Sequence, residues 1–199
     1  MEVQGVKDRR IVVAVTGGIA AYKMCTVVSR LAQAGAEVSV IMTRSAAKFV
    51  TPLTFQTLSG RPVYTSQWQA EENHDSQHIG LARAADLMLI APATANTIAK
   101  LAAGIADNLV LTVAMALPRK PRNPGAPGAP GAPVLLAPAM NAQMWEHPLT
   151  QRNLQTVREV LGYRTIGPAE GWQACRTSGP GRMSEPEEIL AAVAETLAP

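Results

Sequence analysis

The stretch Ile11-Val12-Val13-Ala14-Val15-Thr16-Gly17-Gly18-Ile19-Ala20-Ala21-Tyr22-Lys23 joins a continuous apolar, mostly β-branched run to a glycine pair, and then to residues whose helical periodicity runs from Ala20 to Ala34. Five apolar residues without polar alternation suit a strand covered on both faces, as in a parallel sheet. Gly35 is placed to end the helix, and residues 38–42 read as a second strand, closing a strand–helix–strand unit. Working outward, residues 87–91 form a third apolar run, preceded by a helical pattern over 79–85 and stopped by Pro92. Helical patterns follow over 94–102 and 105–117, with Gly104 between them. Residues 134–137 read as a fourth strand and 163–167 as a short fifth. Residues 186–197 read as a closing amphipathic helix, with Ser184 as its cap and Pro186 in its first turn.

Strands alternating with helices predict an α/β fold: a doubly wound, Rossmann/flavodoxin-like parallel sheet, here in one domain over residues 1–199. In such sheets a ligand sits beyond the carboxyl ends of the strands, near the point where strand order reverses. Residues 1–10 read as a polar lead. Residues 121–133, with Gly-Ala-Pro three times in succession, read as a flexible extended connection without chemistry of its own.

Composition narrows the function classes. Apolar residues at 47% and charged residues at 17% describe a folded soluble chain rather than a disordered one. The +3 net charge is spread along the chain instead of gathered into a basic run, which speaks against nucleic acid as a partner. No apolar stretch reaches the roughly 20 residues of a membrane span. The N-terminal residues lack the apolar core of a secretory signal. Two cysteines, Cys25 and Cys175, cannot build a disulfide framework, so a reduced, cytoplasmic setting is expected. No Cys/His cluster has metal-ligand spacing.

Four polar constellations follow strands. The first is the Thr16-Gly17-Gly18 turn, where backbone N–H groups and a helix start favour an anion. It lacks the third glycine of the dinucleotide pattern, and a plain tight turn would look the same. The second is Thr43-Arg44-Ser45. An acidic residue for a ribose is missing there, which argues against NAD; hydroxyls and a cation fit the terminal phosphate of a flavin mononucleotide, the 2′-phosphate of NADP, or a simple helix cap by Ser45. The third is Thr94-Ala95-Asn96-Thr97. One cap needs one such residue, and three polar groups in four positions point to a ligand as well. The fourth is Pro138-Ala139-Met140-Asn141-Ala142-Gln143-Met144-Trp145, with apolar walls for a flat ring and an amide that can donate and accept; taken alone, Met140, Met144 and Trp145 at helical spacing suit a core better than a cofactor box.

Taken together, VTGGIAAYK, APATANTIAKLAAGIADNL, PAMNAQMW and ACRTSGPGRM, in this order from about residue 11 to 189, resemble the motifs of the homo-oligomeric flavin-containing cysteine decarboxylases. The resemblance implies FMN as cofactor, its phosphate at Gly18, Ile19 and Ala20 and near Ser45, with flavin contacts from Thr94, Ala95, Asn96, Thr97 and Met140. It also implies that Asn141 holds a substrate carboxylate and that His78 is the active-site histidine, with Arg83 downstream in the same motif. Residues 169–183 correspond to a clamp that closes over the substrate, with Trp172, Gln173 and Ala174 at the substrate and Cys175 as the catalytic cysteine. Arg176 and Thr177 depart from the Gly-Asp that many members carry there. His74 and His147 receive no role, and Cys25 reads as a small buried hydrophobe.

The cysteine motif favours the coenzyme A branch, which decarboxylates 4′-phosphopantothenoyl-L-cysteine to 4′-phosphopantetheine. In that chemistry the sulfur-bearing carbon is oxidised to a thioaldehyde, CO2 leaves, and the resulting enethiol is reduced and protonated. His78 would activate or orient the thiol, Asn141 would fix the carboxylate, and Cys175 would donate the final proton. A peptidyl-cysteine oxidative decarboxylase stops at the enethiol and has no need of Cys175. A flavin prenyltransferase is disfavoured by PAMNAQMW, and a non-catalytic flavoprotein regulatory subunit by the joint presence of His78, Asn141 and Cys175. The resemblance further implies self-association, as a trimer or as a dodecamer of trimers, with the flavin at subunit contacts.

Overall fold

The apolar runs become the middle of a sheet because their alternate residues serve two cores. In the computed structural model, which describes residues 3–68, 77–118 and 131–198, strand β1 is Arg10–Val15, β2 Glu37–Met42, β3 Val63–Tyr64, β4 Leu87–Ala93, β5 Val134–Pro138 and β6 Arg164–Thr165. They form a parallel sheet in the order β3-β2-β1-β4-β5-β6. Ile11, Val13 and Val15 point into one apolar cluster, Val12 and Ala14 into the other; on β4, Leu87 and Leu89 oppose Met88 and Ile90 in the same way. Each such Val, Leu, Ile or Met side chain, fully buried, contributes about 1.5–3 kcal/mol.

Helices α1 (Lys23–Gln33), α2 (Pro52–Ser59) and α8 (Pro186–Leu197) supply the first cluster. Helices α3 (Gln77–Ala84), α4 (Ala95–Ala102), α5 (Leu109–Ala116) and α7 (Pro148–Glu159) supply the second. A short α6 (Ala142–Glu146) follows β5, and an antiparallel hairpin, β7 (Ala169–Trp172) with β8 (Ser178–Arg182), precedes α8. The expected doubly wound sheet is therefore present, and its order reverses between β1 and β4.

Several expectations change at element ends. The helix anticipated from Ala20 opens instead as a 3-10 turn, Ile19–Tyr22, before α1 begins at Lys23. The helix anticipated over 105–117 starts only at Leu109, because the Asn108 side chain caps it by accepting from the Leu111 N–H at 3.2 Å. Ser184 does not cap α8. Glu185 does, since Glu188 lies three residues on and returns its carboxylate to the Glu185 N–H at 2.9 Å, a reciprocal capping box that Pro186 at the first helical position completes. Within residues 169–183, Ala169–Trp172 and Ser178–Arg182 pair as an antiparallel hairpin. Cys25 is half-buried, and burial pushes its thiol up from its ordinary value. His74 and residues 121–130 of the Gly-Ala-Pro stretch lie outside the described residues.

Glu185 also ties the two ends of the fold together. Lys23, buried at the start of α1, donates to Glu185 Oε1 and to the Met183 carbonyl oxygen, each at 3.0 Å, and Arg182 pairs with the same carboxylate. The Lys23 hydrogen bond, followed by the charges of Lys23 and Arg182, holds the Glu185 carboxyl below its usual range. A depressed carboxylate stabilises the fold above its unfolded pKa, near about 4.3, and loses that contribution as pH falls through the lower folded value. Urea midpoints should therefore show Glu185→Gln less stable than the parent at about pH 7, with the difference shrinking toward about pH 3. A difference that stays constant across that range contradicts the assignment.

Candidate active site

The carboxyl ends of β1, β2, β4 and β5 open onto a cavity of about 690 Å³, which lies at the reversal point of the sheet. Its size falls within the range of small-molecule and cofactor pockets. Gly18, Ser45, Thr94, Ala95, Asn96, Thr97 and Met140, all anticipated as cofactor residues, line it.

Local chemistry explains the shape. Thr16, at the tip of β1 and 1% exposed, donates from Oγ1 to the Pro92 carbonyl oxygen at 2.5 Å and accepts from the Thr94 N–H at 3.2 Å. One hydroxyl thus stitches the two strands on either side of the crevice. Gly17 allows β1 and β2 to close at their tips: a Cβ there would lie 2.3 Å from Ser45 Cβ and 3.1 Å from the Ser45 carbonyl carbon. Gly17→Ala must force the tips apart, at a cost of about 1–3 kcal/mol. The purified variant should show a lower urea midpoint and reduced bound flavin; parental values for both would remove the close approach from the account.

Beyond the glycines, the backbone N–H groups of Ile19 and Ala20 make no hydrogen bond among the described residues, as expected at the opening of a helical turn. Ser45 does not use its side chain as a cap; that task falls to Thr43, whose Oγ1 accepts from the Ala46 N–H at 3.2 Å. The Ser45 hydroxyl and the exposed Arg44 side chain, both on the cavity wall, are thus left for a ligand. On the opposite wall Thr94 does cap α4, accepting from the Thr97 N–H at 3.2 Å, and its hydroxyl meets that of Thr97 at 3.0 Å. Asn96 is exposed, and its amide makes no hydrogen bond among the described residues. Within these four residues the cap is made by Thr94 alone, which leaves the Asn96 amide on the cavity wall uncommitted.

The wall also contains residues that pattern reading did not single out. Lys100 and Asp107 form an ion pair there, and the Lys100 hydrogen bond lowers the Asp107 carboxyl below its ordinary range. Both lie within the quoted APATANTIAKLAAGIADNL, but their separation by seven residues across a loop gives no periodic signal. Trp68, 83% exposed, stands at the rim.

Asn141 caps α6: its Oδ1 accepts from the Met144 N–H at 2.9 Å. That commits the oxygen and leaves the NH2 group without a partner among the described residues. The neighbouring Met140 and Met144 line the cavity. The hairpin is docked on this same segment: the Met140 N–H donates to the Gly181 carbonyl oxygen at 2.9 Å, and Gly181, at φ +115°, has no room for a Cβ, which would lie 2.4 Å from the Met140 oxygen. Cys175 is exposed at the hairpin tip, with its Sγ 3.0 Å from Thr177 Oγ1 and 3.6 Å from Gln173 Oε1. Arg176 beside it has φ +64°, a left-handed conformation that glycine adopts more readily than arginine.

Other anticipated residues stand apart. His78 is half-buried at the start of α3 and Arg83 exposed near its end; neither lines the cavity of its own chain, nor do Ile19, Ala20, Asn141, Trp172, Gln173, Ala174 or Cys175, although Asn141 directly follows the lining residue Met140. His147 caps α7 through Nδ1, accepting from the Leu149 N–H at 3.2 Å. No cluster of metal-ligating side chains occurs among the described residues, and no described helix is long and apolar enough to cross a membrane.

A parallel sheet with a glycine-turned, hydroxyl-lined crevice at its reversal point defines a nucleotide-type cofactor protein. The model of the Flavoprotein family matches residues 2–198, and the chain belongs to that family. It is 45% identical over 183 residues to the coenzyme A biosynthesis bifunctional protein CoaBC of Bacillus subtilis, covering 92% of this chain and 42% of that protein. It is 40% identical over 189 residues to a probable phosphopantothenoylcysteine decarboxylase of Streptococcus mutans, covering 95% of this chain and 99% of that one. The chain spans less than half the length of the bifunctional relatives it matches. Among solved structures it resembles a PPC decarboxylase with a cysteine-to-serine substitution, complexed with pantothenoylaminoethenethiol: TM-score 0.81 and 31% identity, covering 94% of this chain and 97% of that one.

Proposed function

We propose that this chain is an FMN-dependent decarboxylase of 4′-phosphopantothenoyl-L-cysteine, forming 4′-phosphopantetheine for coenzyme A biosynthesis. The observation that carries the reading is the docking of the Cys175 hairpin onto the Met140–Asn141 segment beside the cavity, since it joins the cysteine motif, the asparagine and the cofactor crevice at one place.

The residues present fit the mononucleotide. The free N–H groups of Ile19 and Ala20, the Ser45 hydroxyl and Arg44 would hold its phosphate; Thr94, Ala95, Asn96 and Met140 would flank the ring system. When bound, FMN supplies the two-electron exchange that neither a pyridoxal nor a pyruvoyl group can provide for an amide-blocked cysteine. The chain's own tasks are positional and acid–base. Asn141, with its oxygen held by the Met144 N–H, aims its NH2 at the substrate carboxylate. His78 activates or orients the substrate thiol. Cys175 donates a proton to carbon in the final reduction. The peptidyl-cysteine reading is disfavoured because that reaction has no use for Cys175.

Because His78 does not reach its own cavity, the reading requires self-association, as a trimer or a dodecamer of trimers, in which one copy supplies His78 to the cavity of another. Exposed Ile19, Tyr22 and Met144 beside the site give an apolar surface for such a contact. Light scattering of the flavin-loaded protein tests this: a monomer with full activity would contradict it. A cytoplasmic setting belongs to the same proposal.

A further inference from the structure

We infer that Gln173 is a positioning residue, which fixes the Cys175 thiol and the Asn141 helix as one unit, instead of a ligand of the substrate. The inference deepens the proposed function and rests on its assignment of Cys175 as proton donor.

Gln173 is 7% exposed although it sits next to an exposed hairpin tip. Every polar end of its side chain is used within the chain. Its Oε1 accepts from the Ala142 N–H at 3.1 Å, the first helical residue of α6 after the Asn141 cap. Its Nε2 donates to the carbonyl oxygens of Gly179 at 3.2 Å and Pro180 at 2.7 Å, on the returning strand β8. The Cys175 thiol donates to the same Oε1 at 3.6 Å, and Thr177 Oγ1 lies 3.0 Å from Sγ on its other side. The backbone of Gln173 closes the tip as well: its N–H donates to the Thr177 carbonyl oxygen at 2.8 Å, and its own carbonyl oxygen accepts from the Arg176 N–H at 2.9 Å.

Two consequences follow from this accounting. A buried amide with both ends satisfied has nothing left to offer a substrate unless it first breaks these bonds, which costs the desolvation of each group left unpaired. And the Gln173 side chain hydrogen-bonds both the thiol and the helix start that follows Asn141, so the distance between the proton donor and the carboxylate anchor is set through it. Gly179 reinforces the junction: a Cβ there would lie 2.9 Å from Ala142 Cβ, so the strand and α6 are in close contact at the same point.

Gln173→Leu removes all four side-chain bonds at similar volume, and Gln173→Met does so with an unbranched chain should the leucine variant fail to fold. Two readouts separate the inference from the reading beneath it. Hydrogen exchange at the Ala142 amide, measured without substrate, should accelerate about tenfold, the effect of losing one buried hydrogen bond. In turnover with FMN-loaded enzyme, the ratio of released enethiol to saturated thiol product should rise about tenfold with little change in KM; being a ratio, it is insensitive to the fraction folded. Unaltered Ala142 exchange overturns the tether. A raised KM with an unaltered product ratio overturns the positioning role and makes Gln173 a substrate ligand. Cys175→Ser, run alongside, must itself shift the ratio; if it does not, the proton-donor assignment falls, and Ala142 exchange alone then decides whether Gln173 joins hairpin and helix.

Discussion

Asn141→Asp abolishes turnover and leaves both fold and flavin in place. The two halves of this expected result come from different atoms of one side chain. Asn141 caps α6 through Oδ1, and aspartate is as good an acceptor for the Met144 N–H, so the helix and the Met140 and Met144 wall stay where they are. What changes is the other end of the amide, the NH2 group. An NH2 donor becomes a carboxylate oxygen facing the carboxylate it should hold, which removes a preorganised hydrogen bond and adds like charge. Loss of one such donor costs roughly 10²–10³-fold in kcat, and the repulsion deepens it. CO2 release, flavin content and the urea midpoint, taken on one preparation, check the claim. Parental CO2 release would take Asn141 out of the site.

The second large effect concerns Cys175. Serine is close in size and can keep both neighbours, Thr177 Oγ1 and Gln173 Oε1, but its hydroxyl is a far weaker acid than a thiol. Steps up to and including CO2 loss should proceed, while protonation on carbon slows by roughly 10²–10⁴-fold, the usual worth of a positioned general acid. The variant should therefore release or retain the enethiol, with the visible absorbance of the flavin lost and slow to return. The solved PPC decarboxylase that this chain resembles combines a cysteine-to-serine substitution with an ethenethiol ligand. Ordinary product at the parental rate would refute the proton donor.

The central strands were legible because burial on both faces leaves no choice of residue: Ile11–Val15 in sequence terms is the same fact as two apolar clusters meeting at β1. Cavity walls were legible for a related reason. Polar residues directly after such strands have few structural uses, and Gly18, Ser45, Thr94, Asn96 and Met140 do line the crevice. Where the reading erred, short-range hydrogen bonds decided. Asn108 begins α5 four residues later than the apolar pattern suggested, and Glu188 makes Glu185, not Ser184, the cap of α8. Strand β3, two residues long, and the β7–β8 hairpin carry little apolar periodicity, since Gly171, Gly179 and Gly181 are there for close approach and backbone conformation. Lys100 and Asp107 meet only in space. His78 was read from a motif alone, and the fold sets it at the start of α3, off the cavity wall.

The most direct test of the account is to purify the protein, record its visible spectrum, and supply phosphopantothenoylcysteine while following CO2 and the sulfur-containing product together. The account predicts a yellow protein that releases one CO2 for each phosphopantetheine formed, with the flavin spectrum restored at the end of turnover. A colourless protein that FMN does not reconstitute, or a flavin-loaded one that leaves this substrate intact, would contradict it.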